Sequence, residues 1–174
     1  MLLALTSLCR VSELASISRD SIAFSSQGVK LSLTRPRKAQ RQAALKVFNL
    51  KRLDPPTFTC PVVCLEAYVK ASDVFRKNDQ SLLFLATRSP FRSVGASTIG
   101  RWIVTLLAEA GVDTSVYSAH STKGASASRA ASAGVSVENI LRSGGWASES
   151  VLVRHYRREV DSGREFATAV LQTA

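Results

Sequence analysis

The feature that most constrains the fold is a series of apolar segments with helical spacing, each bounded by a residue that favours the start or end of a helix. Pro61 is placed to begin a helix that continues to about Val74, because proline is tolerated in the first helical turn. Ser97 is expected to cap a helix that Gly111 ends. A chain divided in this way is predicted to be mainly α-helical.

Two more regions have a helical pattern. The apolar residues of the opening segment keep helical spacing from Met1 to about Leu14. A helix rich in small residues is expected from about Ala119 to Ala133, where the small side chains indicate close packing against a neighbour. Ser136 begins a shorter helix, which Gly144 and Gly145 close.

A small antiparallel β-sheet is predicted after the first helix. A short strand is expected from about Ile22 to Phe24, and a hairpin with alternating apolar and polar residues follows it. The apolar positions of this hairpin are Val29, Leu31 and Leu33 on one strand and Leu45, Val47 and Phe48 on the other. Periodicity alone leaves residues 82–85 as either a short buried strand or a helical turn. The predicted fold class is therefore mainly α with a small antiparallel β-sheet (α+β).

The charge balance favours a polyanionic partner. The chain has 174 residues with 23 Lys+Arg against 13 Asp+Glu, a formal net charge of +10, and its 45% hydrophobic content is typical of a globular domain. Cations that neutralise phosphates release counterions from nucleic acid, which favours binding. Charge alone leaves open a ribosomal role, a membrane surface or a solvated basic face.

The cysteines and the apolar runs exclude several classes of protein. Cys9, Cys60 and Cys64 are odd in number, which argues against a disulfide framework, and no second pair or nearby histidine completes a zinc site. Cys60 and Cys64 are therefore expected to be buried thiols on a helix. The opening MLLALTSLC lacks the basic residues of a signal peptide, and no apolar run is long enough to span a bilayer. We expect an intracellular protein with no membrane partner.

Three basic residues are candidates for binding a phosphate. His120 and Lys123 are three residues apart on a predicted helix, so they share a face and can address one phosphate. The competing interpretation is two solvated polar side chains. Arg10 lies in the otherwise apolar helix face of SLCRVSEL, where a guanidinium requires an anion to offset its desolvation. A salt bridge to Glu13 would meet this requirement without any function.

Two aromatic residues later in the chain are further candidates for acting on a phosphate. Trp146 comes after two glycines and is either a core aromatic or an indole N–H donor to a phosphate oxygen. Tyr156 lies in VRHYRRE, in a segment that Ser148 is expected to cap, where nearby cations favour its deprotonated form. A tyrosine oxygen in such a field can attack phosphorus. The alternative is an interfacial tyrosine on a basic helix.

The order of these residues resembles the catalytic domain of the tyrosine recombinases, also called the phage integrase family. The matching stretches extend from about Leu2 to Glu159 and comprise SLCRVSEL, a lysine in the basic hairpin turn, HSTK, AGVSVENILRSGGW and HY. The stretch from Ala119 to Trp146 aligns nearly without gaps with phage members. The resemblance implies the tyrosine recombinase catalytic-domain fold, double-stranded DNA as the partner, and a transesterification that uses no metal and no cofactor.

The resemblance implies roles for two of the basic residues at the scissile phosphate. Arg10 matches the arginine that holds its nonbridging oxygens. Lys38 matches the hairpin lysine that protonates the leaving 5′ oxygen, and Arg37 and Lys46 are competing matches because such turns vary in length. Cations placed around the phosphate stabilise the charge that develops in the transition state.

The remaining matches lie in the second half of the chain. His120 matches the residue that transfers a proton near the nucleophile, and Trp146 matches a His/Trp position that contacts the phosphate. Tyr156 matches the nucleophile that forms a 3′-phosphotyrosine bond. Lys123 stands where the family has the second arginine of an HxxR motif, and it lacks the planar fork that grips two phosphate oxygens. We therefore expect a reduced rate.

The chain also departs from the family at its beginning. Family members have an upstream core-binding domain, and the sequence has no room for one before Arg10. The expected domains are residues 1–160, a catalytic domain that lacks its first helix, and residues 161–174, a tail. A fragment of a longer gene product or a decayed mobile-element copy fits this pattern. The interval from Trp146 to Tyr156 resembles that of eukaryotic DIRS and crypton elements. The resemblance implies a DNA-containing compartment, which is the nucleus if the element is eukaryotic.

The tail has Phe166, Val170 and Leu171 at helical spacing. It fits either self-association on DNA, by docking on a neighbouring protomer, or packing on its own domain.

The function predicted from the sequence is DNA strand cleavage and rejoining, in site-specific recombination or DNA integration. The alternative is a catalytically inactive DNA-binding module derived from a recombinase. A type IB topoisomerase has the same chemistry, but the short chain and the phage-like stretch from His120 to Trp146 argue against it.

Overall fold

The computed structural model describes residues 1–36, 45–146 and 148–150, and helices dominate these parts of the chain. The elements in chain order are α1 (Leu2–Ser7), α2 (Val11–Leu14), β1 (Ala23–Ser25), β2 (Gly28–Ser32), β3 (Val47–Lys51), α3 (Pro61–Asp73), α4 (Ala96–Glu109), α5 (Ser121–Ser132) and α6 (Val137–Gly144). The predicted fold class, mainly α with a small antiparallel β-sheet, is confirmed.

The sheet is a three-stranded meander. The strands β1, β2 and β3 are antiparallel in that order, and Val29 pairs with Leu50 while Leu31 pairs with Phe48. The first residue of β2, Gly28, must be a glycine, because a Cβ at this position would overlap the carbonyl oxygen of Leu50. The hairpin prediction is confirmed, and β1 lies one residue further along the chain than expected, with exposed side chains.

Residues 82–85, which periodicity could not assign, are extended rather than helical. Leu82 forms an isolated antiparallel bridge with Ser18, and Leu85 forms one with Ser93. The first bridge holds the loop before α4 against the chain that leaves α2, and the second joins two parts of that loop.

The continuous helix predicted from Met1 to Leu14 is wrong, because the chain breaks between α1 and α2. Leu8 has a left-handed backbone with a φ of 52°, and Arg10 is extended. The Glu13 carboxylate accepts hydrogen bonds from the Arg10 backbone N–H at 2.8 Å and from Arg10 Nη1 at 3.1 Å. Glu13 thereby satisfies an N–H group at the start of α2, which favours a new helix over continuation of α1.

The caps of the later helices follow the sequence signals in part. Ser136 caps α6, where its Oγ accepts a hydrogen bond from the Asn139 N–H at 3.4 Å, and Gly145 ends that helix with a φ of 66°. The predicted cap at Ser97 is wrong. The residue before α4 is Gly95, and no side chain caps the helix.

The two cysteines of CPVVC differ in their surroundings. Cys60 precedes Pro61, the first residue of α3, and is buried. Cys64 is exposed one turn later, so the prediction that both thiols are buried is wrong for this residue. Its side chain points outward while Val62 and Leu65 supply the buried face of the helix.

Within the part of the chain that the structure describes, two hydrophobic clusters hold the elements together. The larger one combines α1 to α4 with the sheet, and its most buried members include Ile17, Leu31, Leu33, Val62 and Leu83. The smaller one consists of Leu8, Ala127, Ile140 and Trp146. Because Leu8 belongs to the break after α1, the smaller cluster joins that break to α5 and α6.

Candidate active site

Arg10 lies at the break between α1 and α2, where its side chain is partly exposed. The guanidinium forms a salt bridge with Glu13, whose own side chain is buried. The sequence interpretation that paired Arg10 with Glu13 is thus confirmed. The pair also fixes one edge of the guanidinium, and Arg10 remains 34% exposed and within reach of an external anion.

His120 is the residue immediately before α5, and its side chain reaches solvent. Its pKa is lowered by partial burial first, and then by the positive charges of Lys123 and Arg10, while Glu13 opposes the shift. Both cations therefore lie close enough to act on the imidazole. The structure brings Arg10, His120 and Lys123 into one neighbourhood, and it favours the neutral imidazole, which can accept a proton.

Lys123 is one turn into α5 and is fully buried, with 0% relative exposure. Its Nζ donates a hydrogen bond to the carbonyl oxygen of Gly144 at 2.7 Å and lies 4.5 Å from the centroid of the Trp146 ring. The interpretation of HSTK as two solvated side chains is wrong for Lys123, because a long amphipathic side chain here runs inward to a carbonyl and an aromatic ring.

Trp146 is the aromatic member of the smaller cluster and is 8% exposed. The two glycines before it have different roles. A Cβ at Gly144 would overlap the Trp146 ring, so only glycine allows the ring to lie there. Gly145 takes the left-handed conformation that turns the chain after α6. The interpretation of Trp146 as a core aromatic is confirmed.

Lys38, its competitor Arg37 and the nucleophile candidate Tyr156 lie outside the described residues, as does the tail from 161 to 174. The remaining candidate for the hairpin lysine position, Lys46, donates from Nζ to the carbonyl oxygen of Arg142 at 3.4 Å. This contact brings the start of β3 close to the C-terminal part of α6, near Trp146.

Two supporting residues of the site were not predicted as such. From the sequence, Glu13 was only a salt-bridge partner of Arg10, and Gly144 was only the end of a helix. Glu13 orients Arg10, and its signal was a carboxylate three residues after an arginine at a helix start. The Gly144 carbonyl oxygen accepts a hydrogen bond from Lys123, and the absence of a Cβ at Gly144 leaves space for the Trp146 ring. The sequence signal for this role was a pair of glycines at a helix end where one glycine is sufficient.

Among residues 1–36, 45–146 and 148–150, no group of three or more His, Cys, Asp or Glu side chains is arranged to hold a metal ion. Within the same described residues, no helix combines the length and the apolar character needed to cross a membrane.

Comparison with solved structures reveals what this fold is similar to. XerA recombinase superposes with a TM-score of 0.71 at 17% identity, covering 99% of this chain and 55% of that chain. The XerH site-specific recombinase, bound to a palindromic difH substrate in a post-cleavage complex, gives 0.72 at 14% identity, covering 98% and 44%. The Tn1549 transposon integrase in complex with circular intermediate DNA gives 0.61 at 13% identity, covering 96% and 55%.

The chain therefore has the fold of a tyrosine recombinase catalytic domain, as the sequence resemblance implied. It spans about half the length of these solved structures. No protein-family model matches it, and no curated protein matches it.

Proposed function

We propose that this chain is the catalytic part of an enzyme that cleaves and rejoins DNA strands through a 3′-phosphotyrosine intermediate. The observation that carries the proposal is the grouping of Arg10, His120 and Lys123 at one site within a recombinase fold. Two of the structures with this fold hold DNA, in a post-cleavage complex and in a complex with a circular intermediate. The +10 net charge of the chain suits the same partner.

The chemistry follows from the residue types. The Tyr156 oxygen attacks phosphorus, forming the Tyr–P bond as the P–O5′ bond breaks, and its proton passes to the neutral imidazole of His120. Lys38 gives a proton to the leaving 5′ oxygen. Arg10 binds the nonbridging oxygens, on which negative charge develops. Preorganised cations of this kind lower such a barrier by roughly 3 kcal/mol each.

The covalent intermediate explains why no external energy source is needed. The phosphodiester bond is exchanged for a phosphotyrosine bond, and attack by a 5′ hydroxyl on that bond reverses the exchange. Joining to a second DNA end instead of the original one gives recombination or integration. Neither direction requires a metal or a cofactor in this scheme.

A second candidate function is a DNA-binding module without chemistry. Lys123 favours it, because the ammonium is buried under Trp146 and does not present the exposed fork of an arginine. In that case the basic surface would bind duplex DNA while no covalent adduct forms.

The broader setting is also part of the proposal. In this proposal, residues 1–160 form the catalytic domain, and residues 161–174 form a tail that supports self-association on DNA. The protein works in a DNA-containing compartment, which is the nucleus if it derives from a eukaryotic mobile element.

Covalent trapping tests the proposed function. The protein is incubated with nicked suicide duplexes, including the DNA that flanks its own gene, and adducts are separated on a denaturing gel. We expect a shifted band in the wild type that is absent in Tyr156→Phe. Tyr117→Phe is the matched control and retains the band. Duplex binding without any adduct would favour the DNA-binding module.

A further inference from the structure

We infer that Lys123 is a positioning residue, which fixes Trp146 and the end of α6 beside His120 instead of binding the phosphate directly. The inference rests on the proposed function for its catalytic meaning. Its structural part concerns the chain alone and is testable without DNA.

The burial of the ammonium is the first step. The Lys123 side chain is fully buried, and a charged group in the interior is tolerated only where polar partners replace its water. The carbonyl oxygen of Gly144 at 2.7 Å and the Trp146 ring at 4.5 Å are two such partners. Both belong to the GGW segment, so the ammonium is directed at that segment.

The position of Gly144 in its helix is the second step. It is the last residue of α6, where carbonyl groups lack partners within the helix and carry the negative end of the helix dipole. A lysine from another helix supplies both a hydrogen-bond donor for such a carbonyl and a positive charge at the negative end of the dipole. Lys123 therefore anchors the end of α6 to the first turn of α5.

The Trp146 ring packs against the same glycine that Lys123 contacts. Because Gly144 has no side chain, the Trp146 ring lies directly against it, and Lys123 contacts both. Leu8, Ala127 and Ile140 complete the surroundings of the ring. His120 stands three residues before Lys123 at the start of α5, so this contact sets where Trp146 lies relative to the imidazole.

An arginine is not equivalent in this place. A guanidinium is wider than an ammonium and has five N–H donors, which all need partners once buried. The Gly144 carbonyl oxygen at 2.7 Å accepts a hydrogen bond from a compact ammonium. Lys123→Arg is therefore expected to displace Trp146 and to lower the rate, although the resemblance to HxxR alone predicts a gain.

Trp146 fluorescence tests the positioning directly. The chain has two tryptophans, so Trp102→Phe leaves Trp146 as the reporter. In that background, Lys123→Met keeps the length of the side chain and removes the ammonium. We expect red-shifted emission and stronger acrylamide quenching. Lys70→Met, which changes an exposed lysine of α3, is the matched control and leaves both unchanged. Unchanged emission and quenching in Lys123→Met would overturn the inference.

A second measurement begins with the unmodified protein. The ¹H–¹⁵N correlation of lysine ammonium groups in the unmodified protein should contain one slowly exchanging signal shifted by the indole ring current. Gly144→Ala, which pushes the ring aside while leaving the lysine in place, should remove that shift. A spectrum in which every ammonium exchanges as fast as that of free lysine would contradict the inference.

The rate of covalent adduct formation distinguishes this inference from the proposed function. If the wild type forms adducts, Lys123→Met should slow their formation on the order of 100-fold, the loss typical of a small misplacement near the chemistry. Duplex affinity should stay unchanged. A faster Lys123→Arg variant would overturn the inference, whereas a wild type without adducts would count against the proposed function alone.

Discussion

His120 shows how a single position can be tuned by its neighbours. Partial burial disfavours the charged imidazole, Lys123 and Arg10 add to this effect, and the Glu13 carboxylate opposes it. The pKa of His120 is therefore below its ordinary value. A histidine that accepts a proton in the reaction would stay neutral, and so competent, at more acidic pH than an unperturbed one.

This shift predicts the result of an NMR titration. The chain has two histidines, and His155→Gln leaves the His120 ring signal for observation. We expect it to titrate below a histidine in a model peptide. Lys123→Met removes one nearby cation, so the His120 pKa should rise. A midpoint that does not move in Lys123→Met would show that the ammonium exerts no field on the imidazole.

Glu13 and Glu138 form similar pairs with arginine but differ in burial. Glu13 is buried and accepts two hydrogen bonds from Arg10, whereas the side chains of Glu138 and Arg142 are 82% and 69% exposed. Loss of a buried acceptor leaves its donors without a partner, so Glu13→Ala should lower the free energy of unfolding by about 2 kcal/mol.

The exposed pair provides the matched control for chemical denaturation. Glu138→Ala should change the free energy of unfolding by less than about 0.5 kcal/mol, because an exposed pair is screened by water. Equal losses in both variants would mean that burial does not distinguish the two carboxylates.

At the level of elements, the sequence predicted the later helices and the hairpin, whose signals are local. Gly145 ends α6 and the alternating residues of β2 pair with β3, as expected. The break at Leu8 was not predictable, because the helical spacing continues through it. At the break, the Glu13 carboxylate accepts a hydrogen bond from the Arg10 backbone N–H, and Leu8 packs with residues of α5 and α6 that are distant in sequence.

The site was predictable to a similar degree. The resemblance to a known family placed Arg10 and Lys123 in one site with His120, and both cations lower the pKa of His120. It did not indicate that Lys123 is buried, because that depends on the carbonyl of Gly144, 21 residues further along the chain. Such a contact between two helices leaves no local periodicity to read.

Two of the serines that the sequence proposed as helix caps, Ser136 and Ser97, give a direct test at this scale. Ser136 accepts a hydrogen bond at the start of α6, and Ser97 caps nothing at the start of α4. Ser136→Ala should lower the free energy of unfolding by about 1 kcal/mol. Ser97→Ala should leave it nearly unchanged or raise it slightly, since alanine has the higher helix propensity. Denaturant titration measures both, and a larger loss at Ser97 would contradict the assigned start of α4.

At the level of the whole molecule, the fold and the net charge support different conclusions. The fold is similar to that of recombinases at 12 to 17% identity, which shows that a fold can persist while most side chains differ. The net charge of +10 does not determine the fold. It concerns the partner, because a phosphate backbone binds a basic surface whatever its base sequence.

The last prediction therefore concerns salt. If the basic surface contacts six or more phosphates, duplex affinity should fall by roughly a thousandfold between 50 and 200 mM salt, because each contact releases counterions. Fluorescence anisotropy of a labelled duplex measures this dependence, and Tyr156→Phe should give the same slope, since the hydroxyl is needed only for the covalent step. An affinity that is independent of salt would show that the net positive charge serves solubility instead of DNA. Both functions proposed for this chain, the recombinase and the binding module, would then lose their common basis.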